Sequence, residues 1–285
     1  MGRRGKDDGE VNIRDKLKEA LAEDIGSGDV TSEALIPEGH VSRAFFLAKE
    51  GGVLCGLPFA LEVFRFLDPN LETEPSFRDG DLLEPGTVFC RIKGLTRAIL
   101  SGERVALNLL CRLSGIATMT HRFVQLVEGT GARILDTRKT TPLWRDLEKY
   151  AVHTGGGMNH RMGLYDMVLI KDNHIRAKGG IKEAIKAARE SIRPGMMVEI
   201  EVTNFEEFQE ALKEKADWIM LDNMSPLEMR RCVEVGKNKA ILEASGGINE
   251  RNIREVAESG VDFISLGALT HSVKALDISL ELEEN

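Results

Sequence analysis

The stretch MMVEIEVTNFEEFQEALKEKADWIMLD, residues 196–222, sets two short apolar runs, MMVEIEV and DWIMLD, on either side of an amphipathic segment. A strand, a crossover helix and a second, parallel strand are what such a pattern builds. The unit recurs. AILEAS (240–245) and DFISLG (262–267) follow at a spacing of about 22 residues, and ARILDT (132–137) and DMVLIK (166–171) come before it. Met196 and Met197 are read as the opening of the third of these six strands. Six strand–helix units in a row imply either an open doubly wound sheet or a closed or nearly closed α/β barrel. The regular period, and the lack of a G-x-G-x-x-G fingerprint after the first strand, favour the barrel.

The first half of the chain has another character. VNIRDKLKEALAEDI (11–25) is an amphipathic helix by its spacing, and the polar stretch GSGDVTSEALIP follows. SRAFFLAKE, GGVLCG and LLEPGTVFCRIKG read as strands punctuated by DPN, RDGD and EPG turns, with LPFALEVFRFL helical between them. This α+β pattern with a small sheet ends near Gly94. SGERVALNLLCRLSGIATMTHRFVQLVEG (101–129) then predicts one long helix, or two broken near Ser114-Gly115, as a bridge between domains.

Composition narrows the function classes. The 285 residues suffice for one barrel of roughly 250 residues or for two smaller domains. A net charge of −8 does not attract nucleic acid or an anionic membrane at long range. Cys55, Cys90, Cys111 and Cys232 are scattered, with neither C-x-x-C pairs nor histidines at zinc spacing, which predicts free thiols in a reducing cytosol. MGRRGKDDGE lacks the apolar run of a signal peptide, and no apolar run approaches membrane-spanning length.

In α/β barrels chemistry collects at the C-terminal ends of the strands. Those ends read Asp136-Thr137-Arg138-Lys139, Lys171-Asp172, Glu201, Asp222-Asn223, Ser245-Gly246-Gly247 and Gly267-Ala268: cations first, two acids in the middle, glycine loops last. Glu201 and Asp222 stand free of capping duty, because Thr203-x-x-Glu206 and Ser225-x-x-Glu228, the latter with Pro226, match capping boxes for the helices that follow. Two such carboxylates, with substrate phosphates, suit magnesium or a cationic sugar transition state. SGGI (245–248) and LGALT (266–270) are the expected phosphate loops. Arg138, Lys139, Lys171 and Arg161, with His160, form a cationic group that asks for a ligand bearing several negative charges. GGGMNHRMG (155–163) lacks G-K-[ST] and is therefore a weak phosphate signal. Its glycines are expected to bend the chain sharply and deliver His160 and Arg161. Trp144, Trp218, His40, His153 and His271 are expected to be structural or solvated, while His174 in KDNH is left open.

DTRKTTPLWRDLEKYAV, HTGGGMNHRMGLYDMVLIKDNHI, DIGSGDVTS and EASGGI together resemble the quinolinate phosphoribosyltransferases, from about Asp24 to Leu276. The resemblance implies an N-terminal α/β open-faced sandwich over residues 1–115 and an incomplete, TIM-like α/β barrel over 116–275, with the tail 276–285 packing back on the sandwich. It implies transfer of phosphoribosyl from 5-phosphoribosyl 1-pyrophosphate to quinolinate with decarboxylation, in NAD biosynthesis, with Mg²⁺, in a cytoplasmic homodimer or dimer-based assembly. Thr137, Arg138, Lys139, His160, Arg161 and Lys171 would bind quinolinate and phosphates, and Arg104 would reach in from the partner subunit. Glu201 and Asp222 would face ribose and metal. Ser245, Gly246, Gly247, Leu266, Gly267 and Ala268 would hold phosphate, and Lys139, Lys171, Glu201 and Asp222 would be the catalytic set. Three other readings compete: a class I aldolase using Lys171 as a Schiff base, a phosphoribosyltransferase for another anionic heterocycle, and a non-catalytic anion sensor.

Overall fold

A computed structural model describes residues 13–284 of the chain. Val11 and Asn12 of the expected opening helix, and the MGRRGKDDGE start, lie outside the described residues. The described residues divide into two compact units, one of residues 13–115 with 274–284, the other of residues 116–273.

The first unit begins with α1 (Ile13–Ile25) and α2 (Val30–Leu35). By its composition the α2 stretch reads as polar chain without regular structure. Asp29 creates it, accepting from the Thr31 and Ser32 amides and from the Ser32 and Ser101 hydroxyls, so its carboxylate satisfies donors that a short helix would otherwise leave open. Then come β1 (Val41–Ala48), β2 (Gly52–Val53), α3 (Leu57–Leu67), β3 (Glu72–Pro75), β4 (Leu82–Leu83) and β5 (Val88–Leu95). β3 carries no apolar alternation and was not expected; it pairs antiparallel with β5. The helix α4 (Thr96–Leu126) starts directly after β5 and runs unbroken for 31 residues. Gly115 does not interrupt it. A Cβ there would lie 2.3 Å from the Lys274 carbonyl oxygen, so the glycine serves a close backbone approach.

The second unit is an alternating series: β6 (Arg133–Leu135), α5 (Arg145–Thr154), β7 (Val168–Ile170), α6 (Asp172–Lys178), α7 (Ile181–Ser191), β8 (Val198–Val202), α8 (Phe205–Lys213), β9 (Trp218–Asp222), α9 (Pro226–Gly236), β10 (Ile241–Ser245), α10 (Ile253–Ala257), β11 (Phe263–Ser265) and α11 (Ala268–His271). The six strands form one sheet in the order β6-β11-β10-β9-β8-β7, and every pair in it is parallel. β6 and β7 do not pair, so the barrel is incomplete. The third strand begins at Val198, not at the methionines. The cap of α8 is also shifted by one: Asn204 accepts from the Glu207 amide, and Thr203 donates to the Glu207 carboxylate. The box at α9 is as expected, with Ser225 and Glu228 bonded reciprocally behind Pro226. β12 (Ile278–Leu282) belongs to the first unit and pairs with β1, giving the sheet order β12-β1-β5-β3.

GGGMNHRMG lies along the free edge of β6. Met158 N–H donates to Ile134 O at 2.8 Å, and Asp136 N–H donates to Met158 O at 3.2 Å. Only Gly156 has the left-handed φ (+91°) that a sharp bend needs. Gly155 and Gly157 are required for contact instead: added Cβ atoms would sit 2.3 Å from Ala117 O and 2.8 Å from the Thr120 and Val152 methyls. The triplet therefore seats the loop against α4 as well as turning it.

What locks the loop is a buried ion pair. Lys149 Nζ on α5 meets Asp136 Oδ1 at the end of β6, with their side chains 1% and 0% exposed. Lys149 also donates to His160 O (2.9 Å), and the His160 amide donates to Asp136 Oδ1 (2.8 Å). Asn159 Nδ2 completes the set, donating to Lys149 O and Asp136 Oδ2. Burial pushes the Asp136 carboxyl up and the Lys149 ammonium down, and their mutual attraction opposes both shifts.

Three outcomes test this account. Lys149→Met strands a buried carboxylate and is expected to cost ~3–5 kcal/mol in urea denaturation, with part recovered by adding Asp136→Asn; unchanged stability in the single variant would remove the lock. Gly155→Ala is expected to cost about 1–3 kcal/mol through overpacking against Ala117. At Asp29 the Ser32 and Ser101 hydrogen bonds lower the carboxyl from 3.8 to about 2. Its stabilising contribution is therefore complete above pH 3.8 and lost as pH falls through about 2, so the stability gap between wild type and Asp29→Ala should shrink over that window.

Candidate active site

Strand alternation gives this barrel an interior in layers. Lys171, Glu201, Asp222 and Ser245 sit at the strand mouths, and Glu243 lies one step of two residues below Ser245. These residues line a cleft of about 770 Å³. Thr137, Arg138 and Lys139 border it from the loop after β6, and His160 and Arg161 from the glycine loop. Gly246, Gly247, Leu266, Gly267 and Ala268 close its far side. Every site residue expected from the barrel half is thus in one cleft. Arg104 is not among its lining residues and is exposed on α4.

Local geometry shows why these residues hold their places. Lys171 Nζ donates to Glu201 Oε2 at 2.7 Å. Asp222 accepts from Asn223 Nδ2 at 2.7 Å, and partial burial, with the Glu201 charge beside it, pushes its carboxyl up. Two neighbouring acids whose charges oppose each other fit a cation between them, so these are the residues suited to Mg²⁺. Gly246 and Gly247 both have left-handed φ (+88° and +64°), and a Cβ on Gly246 would strike the Asn223 amide at 2.4 Å. Arg145 ties the two basic loops together, donating to Thr140 Oγ1 and to Met162 O. Arg161 Nη1 donates to Met167 O at 3.0 Å, while the Nε atoms of Arg161 and Arg138 are buried and have no partner.

His160 departs from expectation. Its side chain is 6% exposed, and Nε2 faces Glu199 Oε2 at 3.1 Å and Glu243 Oε2 at 3.5 Å. Nδ1 accepts the Arg161 amide N–H at 2.7 Å. Nδ1 is thus engaged within the protein, while Nε2 lies buried beside the two acids without a hydrogen bond of good geometry. Burial pushes the Glu199 carboxyl up to about 7, with Glu243 adding to the rise and His160 opposing it. The cluster His160, Glu199 and Glu243 has its ligand atoms within 4.8 Å of one another. Burial disfavours the charged ring, but Glu199 and Glu243 beside it outweigh this and push His160 up to about 10, and a proton on Nε2 leaves no lone pair there for a metal.

Glu199 and Glu243 were missed in the sequence, although the signal was present: each stands two residues before a mouth residue, Glu201 or Ser245, and so points to the same interior. His271 also lines the cleft, with Nδ1 against Ser272 Oγ at 2.6 Å. His174 accepts the Lys171 amide and thereby caps α6. Trp218 stacks on Phe263 at 5.0 Å and closes the barrel beneath His160, whose ring lies 5.6 Å away. His40 bonds Thr96.

Comparison with known proteins agrees with this geometry. Residues 29–114 match the family model of the quinolinate phosphoribosyl transferase N-terminal domain, and residues 116–281 that of the C-terminal domain. The chain is 44% identical to a probable nicotinate-nucleotide pyrophosphorylase [carboxylating] of Bacillus subtilis, over 95% of this chain and 94% of the relative. A protein of the same description from Methanocaldococcus jannaschii is 45% identical, over 93% and 95%. Among solved structures, the nicotinate-nucleotide pyrophosphorylase from Francisella tularensis superposes with a TM-score of 0.91 at 42% identity, over 95% of this chain and 96% of that one. With both halves matched by the two models and the relatives covering nearly the whole length, this chain belongs to the quinolinate phosphoribosyltransferase family.

Proposed function

We propose that this protein transfers the phosphoribosyl group of 5-phosphoribosyl 1-pyrophosphate to quinolinate, releasing pyrophosphate and CO₂ and forming nicotinate mononucleotide for NAD biosynthesis. The observation that carries this reading is a pair of buried guanidinium donors, Arg138 Nε and Arg161 Nε, left without partners in residues that line a cleft shared with Lys139 and Lys171. Buried donors are nearly always satisfied, so these await a ligand. Quinolinate, with two adjacent carboxylates, supplies acceptors for both arginines.

The sugar donor occupies the other side in this reading, its phosphates against the Ser245-Gly246-Gly247 and Leu266-Gly267-Ala268 backbones and Lys139. The pyridine nitrogen attacks the anomeric carbon as the bond to pyrophosphate breaks, and that bond's electrons leave with pyrophosphate. Glu201 and Asp222 face the positive charge that develops on the sugar. Together with the donor's phosphates they are the groups that would hold Mg²⁺, which would offset the charge of the departing pyrophosphate. The ribosylated ring is cationic. It accepts the electron pair of the ring–carboxylate bond as CO₂ departs, and a solvent proton replaces the lost carboxylate, with no dedicated base. Arg104, outside this chain's cleft lining, is assigned to the cleft of a second copy, which makes the working unit a homodimer or an assembly of dimers. We assign the reaction to the cytoplasm, since the charged sugar donor does not cross membranes unaided. Lys171 is tied to Glu201, an arrangement for charge balance and unlike the free amine of a Schiff-base aldolase.

The test is a joint assay of nicotinate mononucleotide and CO₂ from quinolinate, the sugar donor and Mg²⁺. Equal yields are expected, with no CO₂ when the donor is left out; CO₂ without the donor would sink the electron-sink step. Arg138→Ala removes charge-assisted bonds worth ~1.5–3 kcal/mol and should raise the quinolinate KM about tenfold to a hundredfold. Arg161→Lys, which keeps the charge and loses the fork, should also raise it. Chelation of divalent cations should stop turnover, and readdition of Mg²⁺ should restore it.

A further inference from the structure

Asn223, directly after the acid at the mouth of β9, has no part in the reaction as described so far. It lines the cleft and, although not a glycine, has a left-handed backbone with φ +55°. Asparagine and aspartate tolerate that conformation better than most side chains, so the backbone accounts for a small polar residue here. It does not account for what the side chain does. Asn223 Nδ2 donates to Asp222 Oδ2 at 2.7 Å. The Asn223 backbone N–H extends the parallel ladder by one step, donating to Ser245 O at 2.9 Å. Met224, the next residue, is 6% exposed and precedes the Ser225 cap of α9, so the turn is anchored on both sides. Across the ladder Gly246 leaves the room that the amide needs: a Cβ there would come within 2.7 Å of three atoms of the Asn223 carboxamide. The amide thus lies over Gly246, with its donor turned to the Asp222 carboxylate.

We propose that Asn223 is a positioning residue for the sugar donor: its Nδ2 hydrogen bond fixes the plane of the Asp222 carboxylate, so that Oδ2 is taken and Oδ1 is the oxygen offered to ribose or Mg²⁺, at a set offset from the phosphate loop. That Asp222 and this loop bind the donor rests on the reading in the preceding subsection; the Asn223 contacts do not. A carboxylate turns about a soft, roughly two-fold torsion, and one charge-assisted hydrogen bond is enough to choose its plane. Asn223 acts through Asp222 and needs no contact with substrate. The acid-binding side stands apart from it. The basic loops follow β6 and flank β7, at the two ends of the sheet order, while Asn223 stands between β9 and β10 in its middle. The two substrates therefore report differently on this residue.

Calorimetric titration of the protein with 5-phosphoribosyl 1-pyrophosphate and Mg²⁺, quinolinate omitted, measures the effect without turnover. Asn223→Gly eases the left-handed backbone and removes the amide. Asn223→Asp keeps the shape and the backbone tolerance but sets a second carboxylate against Asp222. Both should leave the urea midpoint near that of the wild type, because neither strains this exposed turn. Both should weaken donor binding, Asn223→Gly by roughly tenfold and Asn223→Asp by more. In steady-state assays the quinolinate KM should change by about twofold or less. A residue kept only for its backbone gives the opposite result: Asn223→Gly would bind the donor as the wild type does, and the proposal would be overturned. An equal loss of affinity for quinolinate would overturn it too, since that marks general damage to the cleft. A wild-type chain that fails to bind the donor would bring down the preceding reading and this proposal with it, whereas wild-type binding beside an unaffected Asn223→Gly sinks the proposal alone.

Discussion

The contact between Asp136 and Lys149 is the constraint on which the cationic side of the cleft depends. It joins the end of β6 to α5 and takes both backbone groups of His160 into the same network. An ion pair so deeply buried gains little net free energy, because desolvation of each partner offsets their attraction. What it provides is a single position for the chain at 158–161, a segment with no regular structure beyond one bridge to β6. Where an unbroken barrel would place a paired strand, this protein places a loop pinned by charge.

A second constraint is the pleat of the parallel strands. Because side chains alternate, Glu199 and Glu201 share the barrel interior, as do Glu243 and Ser245, separated by one layer in depth. Depth alone gives identical side chains different work. Glu201, at the mouth, reaches Lys171 and can meet a substrate; Glu199, one layer down, is sealed under His160. The basic loops and the two mouth acids line one cleft, so in the proposed reaction a dianionic acceptor and a cationic sugar centre would each be met by opposite charge. Electrostatic complementarity of this kind costs no reorganisation during the reaction, since the charges are already in place.

The barrel was plain in the sequence because its cause is local: short apolar runs separated by amphipathic segments at an even spacing bury themselves in only a few ways. The mouth residues were legible for the same reason, standing where each apolar run stops. Elements built by side-chain bonds were not. α2 rests on the Asp29 carboxylate capping the Thr31 and Ser32 amides, with the Ser101 hydroxyl, seventy-two positions away, donating to that carboxylate, and β3 is a strand because β5 offers it an edge, with no apolar pattern of its own. The cap of α8 moved from Thr203 to Asn204 because both residues are competent caps and the backbone decided between them.

His160 and the glycine triplet mark the division most clearly. The order of residues along the chain is enough to deliver a histidine and an arginine to the strand mouths beside Arg138 and Lys139, and to place two acids at the ends of the middle strands. The folded packing is what turns His160 inward to Glu199 and Glu243, and what makes Gly155 and Gly157 spacers against α4 and α5 while Gly156 makes the bend. The physical reason is one of range. Strand and helix periodicity act over a few residues and are written in order along the chain, whereas the direction of a buried polar side chain depends on which partners, far away in sequence, can satisfy it.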